Sequence, residues 1–417
     1  MTVKLRKLMV VRLACLILMI VTIGLVVSLA ATAAATKGEI TMLKPSEFAI
    51  LPWGNTEGDL DVLKDIRECG FNLAGFVRPE NLDLVSEAGL QCLVSDGTTH
   101  VGDAEAQLDQ AEIDRRVQAL VKRVGDHKAT YGYYLRDEPG ANAFPGLGKW
   151  AAAFNKAAPN ALAYINLFPN YASPAQMNVE TYDEYLESFV KNAKPRFISY
   201  DHYALMDDGS LRGGYFQNLE AVRAAALRHD LPFWNIVLSN AHFNYAEPTP
   251  AGLRFQMYTT LAYGGRGISY FTYFAPKTGN YRLAPIDQFG HKTPTWDMLR
   301  NVNLQIHRLG PVYLTLKSIN VFHHPDVPSG CSGMATSKLL ASVSGGNLLI
   351  GEFEGPGGQP FVMVVNKDLH KSTAFGVKFK DAGQILRVSA YTGNIDPWGG
   401  EDCWLAAGQG MLLCLKK

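Results

Sequence analysis

The segment from Tyr131 to Gly140, which reads YGYYLRDEPG, contains the residues best suited to proton-transfer chemistry. Its first half is apolar and aromatic, as expected of a buried strand, whereas the three consecutive charges Arg136, Asp137 and Glu138 cannot all be buried. We therefore expect these charges to emerge where the strand leaves its sheet. Pro139 biases Glu138 away from the helical region, which ends the strand and fixes the direction of its carboxylate. This placement suits Glu138 to act as a general acid.

The elements that must position these charges follow a repeating pattern. Between residues 48 and 309, short apolar runs alternate with segments of helical period, which is typical of βα units around a parallel sheet. Eight units over roughly 260 residues fit a (β/α)8 TIM barrel. A doubly wound open sheet is the alternative, but no GxGxxG or P-loop follows an early strand. The predicted strands span residues 48–53, 71–76, 91–94, 130–135, 161–167, 197–202, 232–238 and 267–274.

After Pro311 the pattern changes to short alternating strands separated by Gly and Pro, which predicts a small C-terminal antiparallel β-sandwich. We expect this sandwich to stabilise the barrel by covering one side, with carbohydrate binding as its alternative role. Trp398 and Trp404 would then either stack on sugar or seal the seam between the domains. The predicted domains are residues 1–36, a signal peptide or N-terminal anchor; 37–312, the catalytic barrel; and 313–417, the sandwich.

The N-terminus predicts export. Four basic residues precede an apolar run over residues 13–30, and small residues that suit a cleavage site follow it. Because the apolar run is long for a signal peptide, an uncleaved membrane anchor is the alternative. Either arrangement places the catalytic body outside the cytoplasm, as a secreted, periplasmic or membrane-anchored protein.

Cysteine usage fits an exported chain with few crosslinks. Of the six cysteines, Cys15 lies in the predicted signal and five remain in the mature chain, so they cannot all pair. Cys69 and Cys92 lie in predicted core segments and are expected to be free buried thiols. Cys331 and Cys403 are candidates for a disulfide bridge in an oxidising compartment.

Composition restricts the class of ligand. Lys+Arg and Asp+Glu both number 39, so no global field attracts nucleic acid or an anionic membrane, and a neutral small molecule or glycan is the expected partner. No cysteine or histidine spacing suggests a metal site, and no cofactor is expected. His323 and His324, which have no third ligand at suitable spacing, are expected to lie on the surface. The oligomeric state cannot be read from the sequence.

In a barrel the active site gathers at the C-terminal ends of the strands, and here those ends are polar and aromatic. Such a ring of carboxylates, amides and aromatic rings resembles a sugar pocket, in which fixed hydrogen bonds read hydroxyls and rings stack on apolar sugar faces. Trp53 and Tyr273 are candidate stacking platforms, and His202 and Tyr203 either bind substrate or tune a carboxylate. The candidate substrate-binding residues are Trp53, Arg78, Arg136, Asp137, Asn166, His202, Tyr203, His242 and Tyr273.

Three segments resemble clan A glycoside hydrolases, nearest to family 42 β-galactosidase-like barrels. They are YGYYLRDEP on the fourth strand, ISYDHY on the sixth, and LRFQMYTTLAYGGRGISYFTYF leading into the eighth, and the resemblance covers most of residues 45–315. In that clan the general acid/base is a Glu at the end of the fourth strand, usually preceded by Asn, and the nucleophile is a Glu at the end of the seventh. Glu138 matches the acid/base. Asp137 replaces the usual Asn, however, and the seventh strand ends without Glu.

The second catalytic carboxylate has two candidates, Glu247 and Asp201. Glu247 lies in the loop after the seventh strand, and this loop must fold back over the pocket for Glu247 to take part. The alternative is that Glu247 only starts the next helix. Asp201 lies at the end of the sixth strand. Its alternative role is to hold His202 or an arginine in place. We favour Glu247 narrowly because it follows the strand that carries the nucleophile in the clan.

Asp137 is not expected to form a catalytic pair with Glu138, because neighbouring side chains on an extended strand point to opposite faces. It is expected to serve the scaffold or the substrate 2-hydroxyl, or to form a salt bridge with Arg136 or another barrel arginine.

The resemblance and the residues together predict a secreted glycoside hydrolase that cleaves O-glycosidic bonds of an oligo- or polysaccharide with two carboxylates. The alternative is a non-catalytic glycan-binding barrel that has lost the seventh-strand nucleophile. A metal-dependent barrel hydrolase is set aside, because the end of the first strand provides no His or Asp ligand.

Overall fold

The structure is a computed structural model that describes residues 47–416. They lie within one compact unit, Met42–Lys417. The predicted signal peptide or anchor, residues 1–36, lies outside the described residues. No helix in the described part of the chain is long and apolar enough to cross a membrane.

Eight parallel strands form the first sheet and confirm the predicted barrel. Their order is β1-β8-β7-β6-β5-β4-β3-β2, so each strand lies beside its sequence neighbours. All eight start and end within three residues of the predicted positions. The strands are β1 (Ala49–Pro52), β2 (Leu73–Val77), β3 (Gln91–Val94), β4 (Thr130–Asp137), β5 (Leu162–Leu167), β6 (Ile198–Asp201), β7 (Phe233–Leu238) and β8 (Gly267–Phe271).

The α-helices follow the strands and bury one face against them. In the helix Gln110–Val124, the buried residues Ile113, Val117, Leu120 and Val124 recur at helical spacing, and Asp109 caps the N-terminus by accepting a hydrogen bond from the backbone N–H of Glu112. The helices are α1 (Leu60–Glu68), α2 (Leu82–Glu87), α3 (Gln110–Val124), α4 (Phe144–Ala157), α5 (Pro174–Met177), α6 (Tyr182–Ala193), α7 (Tyr215–Arg228), α8 (Pro250–Ala262) and α9 (Pro294–Tyr313).

The barrel closes just beyond the end of β1. The backbone N–H of Thr56 donates to the Phe76 carbonyl at 2.9 Å, and the N–H of Phe76 donates to the Gly54 carbonyl at 2.8 Å. Gly75 makes this approach possible, because a Cβ at its position would lie 2.3 Å from the Gly54 carbonyl oxygen.

The C-terminal region is the predicted antiparallel β-sandwich. Its two sheets have the orders β10-β13-β16 and β15-β14-β17-β12-β11-β9. A separate apolar cluster, which includes Phe322, Ile350, Val362, Phe375 and Leu413, fills it. The strands are β9 (Lys317–His324), β10 (Leu340–Gly345), β11 (Leu348–Glu354), β12 (Pro360–Asn366), β13 (Thr373–Phe379), β14 (Gln384–Val388), β15 (Ile395–Pro397), β16 (Trp404–Leu405) and β17 (Gly410–Lys416).

The two tryptophans proposed for this region both belong to the sandwich. Trp398 packs its ring 5.3 Å from Phe375 and donates its indole N–H to the Asp402 carbonyl at 3.0 Å. Trp404 is 60% exposed. Their suggested sugar contacts stay a prediction.

Two expectations for this region are wrong. Cys331 and Cys403 are both free thiols and form no disulfide with each other, whereas Cys69 and Cys92 are free and buried as predicted. His323 is buried and not on the surface: strand β9 carries it between Tyr263 and Lys367, whose hydroxyl and ammonium groups both lie 3.1 Å from its ring nitrogens.

Candidate active site

The site begins at the carboxyl ends of three neighbouring strands. Asp137 ends β4, Asn166 lies in β5, and Asp201 ends β6. The side-chain amide of Asn166 donates to Asp137 Oδ1 at 3.0 Å and to Asp201 Oδ1 at 2.9 Å. Its carbonyl oxygen accepts from the Ser199 hydroxyl at 2.9 Å, which fixes the orientation of the amide. Asn166 therefore ties the two carboxylates together.

Glu138 joins this group through a hydrogen bond between its carboxyl group and that of Asp201. We call Asp137, Glu138 and Asp201 the carboxyl cluster. The backbone of Glu138 has φ of 42°, in the left-handed region, and its N–H donates to the Asn166 carbonyl at 2.9 Å. This conformation overturns the expectation that Asp137 and Glu138 point to opposite faces, because the alternation holds only for an extended backbone.

The carboxyl cluster retains a proton near neutral pH. Two carboxyl groups that share one buried site cannot easily both be ionised, because their charges repel each other. Burial, followed by the negative charge of Asp137, raises the pKa of Glu138 to about 7. Burial and the charges of Glu138 and Asp137 raise the pKa of Asp201 well above its usual range. Burial also raises the pKa of Asp137, against the hydrogen bond from Asn166. Such a group can both give and accept a proton at neutral pH.

An aromatic wall lies beside the carboxyl cluster. The ring of Tyr134 stacks on Phe76 at 4.1 Å, Trp53 meets Phe76 edge-on at 4.9 Å, and the ring of His100 lies 6.0 Å from that of Tyr134. Burial is the main cause that raises the pKa of Tyr134, and the charge of Asp137 raises it further, so this ring lies close to that carboxylate. We call Trp53, Phe76, Tyr134 and His100 the aromatic wall. Trp53 and Phe76 are buried, whereas Tyr134 and His100 keep exposed ring surface of the kind on which sugar faces stack.

A second aromatic group flanks the cluster at the ends of β6 and β7. His242 stacks on Tyr281 at 4.8 Å, and Tyr203 meets His242 edge-on at 6.0 Å. Besides burial, the charges of Asp201 and Asp137 raise the pKa of Tyr203, which places Tyr203 near the carboxyl cluster. Burial and the charge of Arg282 lower the pKa of His242 to about 4, so this imidazole is neutral at neutral pH.

His202 is held by an amide. Its Nδ1 lies 2.9 Å from Asn218 Oδ1, and burial lowers its pKa to about 4. Its Nε2 is buried without a hydrogen-bond partner, and its ring meets Tyr171 edge-on at 5.0 Å. The alternative role considered for Asp201, holding His202, is filled by Asn218.

Four residues expected at the site have other partners. Arg136 pairs with Asp103 at 2.6 Å and exposed Arg78 with Glu80 at 3.8 Å. Glu247, whose side chain is 55% exposed, pairs with Arg282 at 2.8 Å, so its loop uses this carboxylate outside the carboxyl cluster. Tyr273 is buried and accepts a hydrogen bond from the Trp296 indole at 2.9 Å, which leaves no ring face for stacking.

Neutral side chains end β7, where the clan places its nucleophile. The hydroxyl of Ser239 donates to the Thr272 carbonyl at 2.9 Å, and the amide of Asn240 donates to the Thr272 hydroxyl at 3.1 Å. Both residues are buried. Neutral side chains that hydrogen-bond to Thr272 therefore occupy the position at which the clan has its nucleophile.

Sequence reasoning missed Phe76, Tyr134 and His100. The first two lie inside apolar strand runs and looked like ordinary core residues. The available signal was the position of Phe76 near the end of its strand, where side chains line the barrel mouth. Within residues 47–416, no group of three His, Cys, Asp or Glu side chains is arranged to hold a metal ion.

Solved structures of glycoside hydrolases are similar to this chain in fold. A catalytic mutant of a GH42 β-galactosidase from G. stearothermophilus matches with a TM-score of 0.57 and 8% identity, over 89% of this chain and 98% of that one. A family 5 glycoside hydrolase from Bacteroides vulgatus matches with a TM-score of 0.52 and 12% identity, over 88% and 89%. The chain shares the glycoside hydrolase barrel fold. A β-galactosidase from the psychrophilic Marinomonas ef1 matches with a TM-score of 0.47 and 9% identity, over 63% of this chain and 60% of that one. No protein-family model and no curated protein matches the sequence.

Proposed function

We propose that the protein is a glycoside hydrolase in which Glu138 is the general acid/base. The observation that carries this proposal is the grouping of Glu138 with buried Asp201 and with Asp137 around Asn166 at the barrel mouth. It supports a carboxyl group that is still protonated near neutral pH, as protonation of a glycosidic oxygen requires.

Glu138 and Asp201 have different exposures, which separates their roles. Asp201 is only 4% exposed, whereas Glu138 is partly exposed at the barrel mouth. Glu138 is therefore the group that gives its proton to the leaving oxygen and later takes one from water. Asp201 shares the proton and positions the Glu138 carboxyl group.

The surroundings of the carboxyl cluster support a carbohydrate ligand. The aromatic wall provides a stacking surface, and Asp137, Asn166 and Tyr203 bring polar groups beside it. The substrate is proposed to be an oligo- or polysaccharide, met outside the cytoplasm if the predicted export signal operates.

A glycan-binding barrel without activity is the second candidate. The neutral residues Ser239 and Asn240 at the end of β7 favour it, because they replace the carboxylate that the clan uses as its nucleophile.

One experiment separates the two candidates. Wild-type protein, Glu138→Gln and the control Glu354→Gln, whose side chain is exposed in the sandwich, are incubated with α- and β-aryl glycosides and oligosaccharides, and released sugar is measured. We expect Glu138→Gln to lose about 100- to 10,000-fold in rate on oligosaccharides, as loss of a general acid does. Equal rates for wild type and Glu138→Gln would refute the role of Glu138. Glycan binding without release by any variant would support the binding barrel.

A further inference from the structure

The carboxyl cluster lies on one side of the bond to be broken. Displacement at an anomeric carbon requires the attacking atom to approach opposite the leaving oxygen that Glu138 protonates. Asp201 is a hydrogen-bond neighbour of Glu138 itself. Asp137 directly precedes Glu138 in the chain, and the Asn166 amide donates hydrogen bonds to both Asp137 and Asp201. Both carboxylates therefore lie beside Glu138, whereas a protein nucleophile must lie across the sugar ring from it.

The end of β7 and the loop after it do not provide a free carboxylate either. At the end of β7, Ser239 and Asn240 are bound to Thr272. In the loop that follows, Glu247 is paired with Arg282. The described residues thus supply a general acid with no protein nucleophile at the position where the clan has one.

We propose that the substrate supplies the nucleophile, as the carbonyl oxygen of a 2-acetamido group on the sugar that is transferred, and that Asp137 binds the N–H of that group. This inference rests on the proposed glycoside hydrolase function and names its substrate class, a 2-acetamido-2-deoxy glycoside.

Asp137 has the contacts and exposure that this role needs. Its carboxylate accepts a hydrogen bond from the Asn166 amide at 3.0 Å, and the residue keeps solvent-accessible surface at the end of β4. Since a carboxylate has about four acceptor sites, it can take a further N–H from a ligand. Tyr134 lies beside it and is partly exposed, so its ring is available to contact the acetamido methyl group. The left-handed backbone of Glu138 places acid and acceptor in the same cluster.

The reaction balances with these groups alone. The acetamido oxygen forms a bond to C1 as the glycosidic C1–O bond breaks, and the departing oxygen keeps the electron pair and takes the proton of Glu138. The product is a cyclic oxazolinium ion whose positive N–H is stabilised by the Asp137 carboxylate. The Glu138 carboxylate then removes a proton from water, the water oxygen bonds to C1, and the C1–O bond to the acetamido group breaks.

Stereochemistry follows from this route. Attack by the neighbouring group requires the acetamido and leaving groups to be trans, so gluco- and galacto-configured substrates must be β-linked. Two inversions at C1 give net retention.

The test compares matched substrates that differ only at C2. Purified protein is given aryl β-glycosides of N-acetylglucosamine, N-acetylgalactosamine, glucose and galactose, and a thiazoline analogue of the oxazolinium ion is tested as an inhibitor. We expect the 2-acetamido substrates to react at least about 100-fold faster and the thiazoline to inhibit competitively. Equal or faster cleavage of the 2-hydroxy substrates would overturn this inference and leave the proposed hydrolase function intact. Cleavage of none of them, nor of the wider glycoside panel, would overturn both.

Variants test the role of Asp137. Asp137→Asn should lose roughly 100- to 1,000-fold in kcat on 2-acetamido substrates, as expected for a group that stabilises charge in the transition state. Across N-acetyl, N-fluoroacetyl and N-trifluoroacetyl substrates the wild-type rate should fall with each fluorine, because fluorine makes the attacking oxygen less nucleophilic. Asp61→Asn, exposed in the first turn of α1, is the control and should match wild type. A flat fluorine series, or full activity of Asp137→Asn, would contradict the proposal; unchanged circular dichroism and Tm exclude misfolding.

Discussion

At the scale of single residues, Glu138 combines two unfavourable features. Its backbone is in the left-handed region, which costs a non-glycine residue about 1–3 kcal/mol. Its carboxyl group is partly buried against Asp201 and beside the charge of Asp137. A residue that is costly in both respects is expected where function requires it, since strained and destabilised groups concentrate at active sites.

The first prediction is that Glu138→Gln stabilises the protein above pH 7. The folded state raises the pKa of Glu138 from 4.5 to about 7, so wild type loses stability as pH rises through this window and Glu138 ionises. Because glutamine does not ionise, the variant does not lose stability as pH rises. We expect Glu138→Gln to gain about 1–3 kcal/mol over wild type at pH 8, after allowance for solvent screening, with the gap closing below about pH 4.5.

Tm measured by calorimetry from pH 4 to 8 checks this. Glu354→Gln, which removes an exposed carboxylate in the sandwich, is the matched control. A Glu138→Gln gain that is independent of pH would mean that ionisation is not its cause.

The second prediction concerns the pH dependence of activity. Since Glu138 must be protonated to act as an acid, kcat/KM should fall as pH rises through about 7. The charge of Asp137 raises this pKa, so in the residual activity of Asp137→Asn the fall should occur at lower pH. A pH–rate profile on a glycoside with a poor leaving group checks both, and an unmoved basic limb in Asp137→Asn would exclude electrostatic coupling between the two residues.

The positions of some of these residues could be predicted from the sequence, and the contacts of others could not. Glu138, Asp137 and Asn166 could be placed at strand ends because the βα pattern fixes which end faces the barrel mouth. The contact between Glu138 and Asp201 could not, because it depends on the left-handed backbone at Glu138. The pairing of Glu247 with Arg282 was equally hidden, since loop conformation sets it.

At the scale of elements, closure of the barrel depends on Gly75. Prediction three is that Gly75→Ala destabilises the protein by about 1–3 kcal/mol, the usual cost of overpacking, because its Cβ would lie 2.3 Å from the rigid Gly54 carbonyl. Gly97→Ala is the control, since its Cβ would meet nothing within 4 Å. Urea unfolding of both variants measures the difference, and equal stability would show that β1 and β2 can separate without cost.

The helices and strands could be predicted from the sequence more completely than the contacts between side chains. The strands of the barrel are short, apolar and bounded by polar segments, so the sequence marks each one independently of its neighbours. Burial of His323 was not marked, because it depends on how strand β9 packs near α7, where Phe216 meets the ring edge-on at 4.7 Å.

At the scale of the whole molecule, helix α8 joins the barrel to the sandwich. Ten of the eleven residues from Gly252 to Ala262 are buried, and Arg254 is the exception, so the helix is buried around its circumference, as a helix between two packed layers must be. Arg254 on α8 donates to the Ala407 carbonyl at 2.7 Å, and the hydroxyl of Tyr258 accepts from Gln409 at 2.9 Å. The sandwich therefore completes the core around α8.

The last prediction is that barrel and sandwich unfold together. Because α8 loses one of its two apolar partners if the sandwich unfolds, calorimetry should show a single transition whose calorimetric and van't Hoff enthalpies agree. Gly351→Ala, whose Cβ would lie 2.1 Å from the Ala262 carbonyl, should move that transition to lower temperature by a few degrees, because it costs about 1–3 kcal/mol at the seam. Gly213→Ala, which meets nothing within 4 Å, should leave it in place. Two separate transitions in wild type would instead make the sandwich an independent domain and leave α8 stable on the barrel alone.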